Sequence, residues 1–212
     1  MKNLILIAIL FNASIFADYS NHKDSKEVID ELVNEHGFEE SYVINVLKQA
    51  KKRKTALNSV ARPAEKTKTW DDYRAIFLKK KRISDGKKFI QNNITVLDRA
   101  EKEFGVPKEV ITAILGVETD YGNIMGSYRV IDSLTTLGFD DPRRSKFFKS
   151  ELIQFFILTR ENNLDILKVK GSYAGAMGYG QFISSSYRAY AIDFDGDGYV
   201  DLFNSLEDAI GS

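Results

Sequence analysis

The chain has 212 residues, 43% of them hydrophobic, and its 30 basic and 30 acidic residues cancel. That length is enough for one domain with a full core or a domain plus an arm, and the balanced charge offers no field to draw in nucleic acid. There is no cysteine, which excludes disulfides, thiolate catalysis, zinc–thiolate sites and an acylated lipid anchor; the two histidines, His22 and His36, lie far from the region of interest and argue against a Ser-His-Asp machine.

In chain order, Lys2, the apolar run Leu4 to Phe11 and the small and polar residues up to Ala17 have a signal-peptide layout. Cleavage is expected after Ala17, which places the rest of the chain outside the cytoplasm, in the periplasm; an uncleaved anchor is the alternative. Ser25 is expected to cap a helix with Val28, Ile29, Leu32 and Val33 on one stripe, ending at Gly37. A second helix carries Tyr42, Val43, Val46, Leu47 and Ala50. Residues 55–69 lack periodicity, contain Pro63 and read as a linker, so residues 18–69 form an expected arm and 70–212 a catalytic domain. Trp70 opens a helix with Tyr73, Phe77 and Leu78, and the basic run Lys79 to Arg82 reads as a solvated helix end rather than a phosphate site. Ser84 begins a long helix running to Phe104 and broken by Gly105.

The segment VPKEVITAILGVETDYG, from Val106 to Gly122, reads as a helix with Pro107 in its first turn and Gly122 near its stop. The spacing puts Ile111, Ile114, Leu115 and Glu118 on one face. A carboxylate facing a core must be paired or protonated, and burial raises its pKa, the condition for a general acid near neutral pH. On spacing alone, a boundary glutamate held by a salt bridge or pointing to water fits as well. A loop from Gly122 to Gly126 follows, then a short helix from Val130 to Leu137, a turn bracketed by Gly138 and Pro142, and an aromatic-rich helix over 143–162. No stretch alternates cleanly enough for a strand, although a short one fits near Val169 or Val200. From Gly171 the sequence GSYAGAMGYGQFISSSYRAY holds four glycines in its first ten residues and reads as a glycine-rich turn feeding a helix from Gln181. It lacks the spacing of a dinucleotide fingerprint or a nucleophile elbow.

GVETDYGNIMG, the Pro142-Arg143-Arg144 turn, the AGAMGYGQF run and the segment YAIDFDGDG occur here in that order. Together they resemble the membrane-bound lytic transglycosylase B family, which cleaves bacterial peptidoglycan, and the likeness runs from about Val28 to the last residue. It implies a mainly α, lysozyme-like catalytic domain with Glu118 as the single catalytic acid/base. Ser172 and Gln181 would contact the sugar at the cleavage subsite. Met177, Tyr179, Phe182 and Tyr121 would line the groove. Arg143 and Arg144 would order the site or meet the stem peptide, a structural salt bridge being the alternative. The substrate is the glycan strand, cut between N-acetylmuramic acid and N-acetylglucosamine to leave a 1,6-anhydromuramic end. Glycoside cleavage usually takes two carboxylates. Asp120 is the near candidate for a second, and two residues along a helix point it elsewhere.

Asp193-Phe-Asp195-Gly-Asp197-Gly opens like an EF-hand loop, with acids at positions 1, 3 and 5 and glycine at 6. Tyr199 would give its carbonyl, and Asp201 sits at position 9. Position 12 is Asn204, so Glu207 or Asp208 would have to close a longer loop, and the resemblance favours Asp208. The implied cofactor is a structural Ca2+; an acidic turn without an ion is the bland alternative. Family members continue beyond the helix entered at Asp208, so a C-terminally incomplete enzyme is expected. The rival expectations are a peptidoglycan-binding remnant without turnover and a hydrolase that uses water.

Overall fold

The structure is a computed structural model that describes residues 18–62 and 68–212. The expected signal peptide, and Pro63 in the expected linker, lie outside the described residues. The fold is almost entirely helical. A 3-10 turn (Tyr19–Asn21) leads into α1 (Ser25–Asn34), α2 (Glu40–Gln49) and α3 (Lys54–Ala61); α4 (Trp70–Phe77), α5 (Lys80–Asn92), α6 (Ile94–Phe104) and α7 (Lys108–Thr119) follow. Then come β1 (Tyr128–Arg129), α8 (Val130–Asp140), α9 (Ser145–Glu161), β2 (Lys170–Gly171), α10 (Ser184–Tyr190) and α11 (Leu206–Gly211). The two strands pair antiparallel, Tyr128 opposite Gly171 and Arg129 opposite Lys170. The strand expected near Val169 is thus β2, and Val200 lies in none.

Two hydrophobic clusters organise the helices. In the larger, α8 is buried on every side from Val130 to Phe139 and lies against the Phe148, Leu152, Phe155 and Phe156 face of α9. A helix buried all round needs partners for its polar groups. Asp132, with no exposed surface, receives the Arg53 guanidinium at 3.0 and 2.6 Å, that of Arg129 at 3.1 and 2.5 Å, and the Lys51 amide at 2.9 Å. Val28, Leu32, Val43, Leu47 and Ala56 of α1, α2 and α3 enter this same cluster. A division at residue 70 therefore does not coincide with a division of the core. The smaller cluster joins α5, α6, α7 and α11 through Phe89, Leu97, Leu115, Phe194 and Ile210.

Several boundaries differ from expectation. Residues 54–61 are helical, not linker: Ala56 is fully buried, and Leu57 and Val60 pack beside it. Three apolar positions over two turns are too short a pattern to stand out in sequence. The helix expected from Ser84 to Phe104 is two, α5 and α6, parted at Asn93, whose side-chain amide donates to the Phe89 carbonyl at 2.8 Å and competes with the helical ladder. Gly138 lies inside α8, and the helix after the glycine-rich turn starts at Ser184 rather than Gln181. Ser25 is not a cap; Asp24 holds that position, and the Ser25 hydroxyl donates back to the Ser20 and His22 carbonyls.

Candidate active site

Glu118 is the penultimate residue of α7. Pro107 caps that helix from outside, with α7 starting at Lys108. The buried stripe is Thr112, Leu115, Gly116 and Thr119, one position round from the expected face. Small and polar residues face inward because Gly116 leaves room for the Tyr121 ring and the Thr119 hydroxyl bonds the glycine-rich segment. The larger Ile111 and Ile114 flank that stripe, and Ile114 is 52% exposed. With Leu115 they border an open apolar groove of about 520 Å³, shared with Phe104, Phe182 and Ile192. Glu118 stands one turn beyond Ile114 and is not among the groove's lining residues. It does not face a core, as its spacing predicted; it is exposed at the end of an apolar wall.

Burial nonetheless raises the Glu118 carboxyl from its ordinary value. The residue as a whole remains exposed, so this is a partial desolvation. Among the described residues no hydrogen bond or ion pair reaches that carboxylate, so nothing opposes the upward push. Asp120 is engaged elsewhere, with Arg82 Nε at 3.4 Å, as its place on the helix predicts.

The helix stops abruptly after the acid. Asp120 (φ 52°), Tyr121 (φ 62°) and Gly122 (φ 89°) all adopt left-handed backbone. For the two non-glycine residues this costs of order 1–3 kcal/mol each and must be held by neighbours. Thr119 is one of them. Its buried hydroxyl accepts from the Gly122 amide at 2.9 Å and donates to the Tyr179 carbonyl at 2.8 Å. That joins the end of α7 to the glycine-rich segment. The Tyr179 ring covers Gly122, where a Cβ would sit 2.1 Å from a ring carbon. The sequence signal for Thr119 is a hydroxyl directly after the acid.

The other expected site residues separate into groups. Gln181 (φ 51°) donates from Nε2 to the Gly178 carbonyl at 3.0 Å and the Met125 carbonyl at 3.3 Å, which ties the segment to the loop after Glu118 and leaves Oε1 open. The Ser172 hydroxyl accepts from the amides of Ala174 (3.3 Å) and Ala176 (3.0 Å), stabilising the turn while its proton stays free to donate. Phe182 borders the apolar groove. Met177 does not line it: the side chain is fully buried in the larger cluster, and its backbone pairs with Phe182. Its flexible thioether fills core space. Tyr121 is packed between α5 and α7. Arg143 and Arg144 sit before α9; Arg144 lies over the Phe147 and Phe148 rings at 4.5 and 5.0 Å, and Arg143 is next to Asp141. None of these contacts involves α7 or the glycine-rich segment.

The acidic loop brings ligand atoms of Asp193, Asp195 and Asp197 within 4.8 Å of one another. Asp193 accepts from the Gly196, Asp197 and Gly198 amides, and the Ser205 hydroxyl holds the Asp195 carboxyl below its ordinary value. Three crowded carboxylates, one of them also under the charge of Arg99, fit a hard divalent cation. Asp208 does not join this group. Fully buried, it accepts from the amides of Phe194 (2.7 Å), Asp195 (3.3 Å) and Asp201 (2.8 Å), which makes it a backbone staple for the loop. Tyr199 is exposed and its amide donates to Asp197 at 2.8 Å.

Residues 20–212 match the family described as the transglycosylase SLT domain. The chain belongs to this family. It is 41% identical to membrane-bound lytic murein transglycosylase B of Escherichia coli K12 over 92% of its own length and 56% of that protein's. Among solved structures, the SLT-domain chain resembles the catenated lytic transglycosylase SltB1 of Pseudomonas aeruginosa (TM-score 0.87, 46% identity, 92% of this chain and 64% of that one). It also resembles Escherichia coli Slt35 in complex with bulgecin A (TM-score 0.86, 41% identity, 92% and 62%). The chain thus spans less than two thirds of the length of these relatives.

Proposed function

We propose that this SLT-domain chain is a lytic transglycosylase that cleaves the N-acetylmuramic acid–N-acetylglucosamine β-1,4 bond of peptidoglycan, with Glu118 as its single general acid/base. The observation that carries the reading is a lone carboxyl, raised by desolvation and met by no cation among the described residues, whose neighbour Asp120 is committed to Arg82. One acid suffices if the substrate supplies the nucleophile. Protonated Glu118 donates to the glycosidic oxygen as the bond from C1 to that oxygen breaks, and the 2-acetamido group supports the charge at C1. The Glu118 carboxylate then takes the proton of the muramic 6-hydroxyl as O6 bonds to C1. The product is a 1,6-anhydromuramic end, and no water is consumed.

In this reading the free Oε1 of Gln181 and the free hydroxyl proton of Ser172 receive the sugar's polar groups, and Tyr179 and Phe182 supply apolar surface. Two structures of one relative support the substrate class: SltB3 of Pseudomonas aeruginosa, 26% identical, was solved in complex with NAG-NAM-pentapeptide and with NAG-anhNAM-pentapeptide. Mass spectrometry of digested sacculi tests the reaction. Anhydromuropeptides are expected; reducing ends would show a hydrolase, and intact sacculi a binding module.

The same reading includes Ca2+ held by Asp193, Asp195 and Asp197, with the Tyr199 carbonyl as a further donor. A structure of Slt35, 40% identical, was solved with calcium. When bound, the ion supplies charge neutralisation that steadies the loop before α11; it takes no part in proton transfer. Calcium is expected to raise the melting temperature over that in EDTA and to give binding heat that Asp193→Ala removes. Titration of the intact chain without heat or melting change would remove the site. Extracytoplasmic action completes the proposal, resting on the layout of residues 1–17.

A further inference from the structure

Arg82, at the start of α5, touches both strained residues that follow Glu118. Its guanidinium lies 3.4 Å from the Asp120 carboxylate, and its carbonyl accepts the Tyr121 hydroxyl at 2.9 Å. The Tyr121 ring enters a slot between two helices that exists only because Gly86 of α5 and Gly116 of α7 lack side chains. A Cβ at Gly86 would come within 2.6 Å of the Tyr121 hydroxyl oxygen, and one at Gly116 within 2.6 Å of that oxygen and 2.7 Å of the ring. Phe89 closes the slot with its ring centroid 5.3 Å away. The Tyr121 amide meanwhile donates to the Leu115 carbonyl at 3.1 Å, closing the helix end. Two consecutive left-handed non-glycine residues do not persist unaided, and here one side chain of α5 and one inter-helix slot fix them.

We infer that Tyr121, seated in the Gly86–Gly116 slot and latched to Arg82, is the positioning residue that aims the Glu118 side chain, and that it does not touch the substrate. This rests on Glu118 being the acid/base proposed above. The ring is the wedge and the hydroxyl only the latch, so the two separate by mutation. A misplacement of about 1 Å at the reacting group costs on the order of 100-fold in rate.

The test compares wild type, Tyr121→Phe, Tyr121→Ala and Gly116→Ala on purified sacculi, with kcat, KM and pH profile, and with NMR titration of the Glu118 carboxyl in the substrate-free full chain. Tyr121→Phe is expected to keep kcat within about threefold. Tyr121→Ala and Gly116→Ala are expected to lower kcat by roughly 100-fold with KM nearly unchanged. In both, the Glu118 titration should move down towards the ordinary carboxylate value, because a released side chain is better hydrated. A raised KM at unchanged kcat in Tyr121→Ala would make Tyr121 a substrate contact and overturn the inference. So would an unchanged Glu118 titration in a folded Tyr121→Ala chain. The titration needs no turnover, so it decides the inference even if the wild-type chain releases no anhydro product and the functional reading itself fails.

Discussion

Asp132 of α8 and Glu118 of α7 are two acids treated in opposite ways. Around α8 and α9, Asp132 is answered by Arg53 and Arg129, the Tyr19 hydroxyl by Asp140, and Glu151 by the amide of Ser185, while Asp141 Oδ2 and the Ser184 hydroxyl are buried without a partner among the described residues. Around α7, the acid has no partner among the described residues, its helix ends in left-handed backbone, and Ile114 is left half in solvent. The first arrangement yields a stable scaffold and little chemistry. The second costs stability and, in the proposed reading, leaves a proton donor beside an apolar surface for the glycan. In the proposed reading, strain and an unpaired acid fall on the side of the fold that meets the substrate, and the Asp132 network falls on the supporting side.

Mutations should separate the two sides cleanly. The largest effect is expected from Glu118→Gln, which keeps the shape and removes the proton. Turnover of sacculi should fall by at least about 10³-fold while glycan binding persists. Release of anhydromuropeptides by this variant at a rate near wild type would move the acid/base elsewhere. On the supporting side, Asp132→Ala leaves two arginines without their shared carboxylate and should cost about 3 kcal/mol in urea unfolding; the partial exposure of both arginines keeps the figure at the low end for a buried pair. Residual activity per folded molecule should stay close to wild type. Equal loss of activity and stability in both variants would dissolve the distinction between the regions.

How much of this contrast was legible in the sequence depends on the range of the interaction. The stripes of α1, α2 and α9 repeat over several turns and were read directly. Glu118 and the acidic loop stood out because several unusual residue types fall close together. The Asp132 network joins residues about 80 positions apart, and nothing local in Arg53 or Asp132 signals the pairing. The packed face of α7 lies one residue away from the apolar pattern because Thr112, Gly116 and Thr119 carry little hydrophobic signal, although a small residue at 116 is what the Tyr121 ring requires. Met177 was assigned to the groove by its neighbours in the motif, while the bridge to Phe182 turns its side chain into the core. Asp208 was expected beside the other acids for the same reason of proximity, and the backbone amides of its own loop occupy it instead.

The smallest expected effect is the most direct check on the unmet acid. A carboxyl whose pKa is higher in the folded than in the unfolded chain binds its proton more tightly when folded, so folding is favoured at low pH and loses that contribution as pH rises through the folded value. Glu118→Gln removes this loss. The variant should therefore melt above wild type at pH 7, by about 1 °C given the exposure of the residue, and the gap should close towards about pH 3, below both the folded and the unfolded value of the wild-type carboxyl. Asp195 provides the internal control, because its carboxyl is held down rather than up. Asp195→Asn in calcium-free buffer should lower melting at pH 7 and matter less as pH falls. Differential scanning calorimetry of both variants at the two pH values reads the signs. If Glu118→Gln destabilised the fold at neutral pH, the carboxylate would have a stabilising partner, and the contrast between the answered and unanswered sides would no longer include the acid.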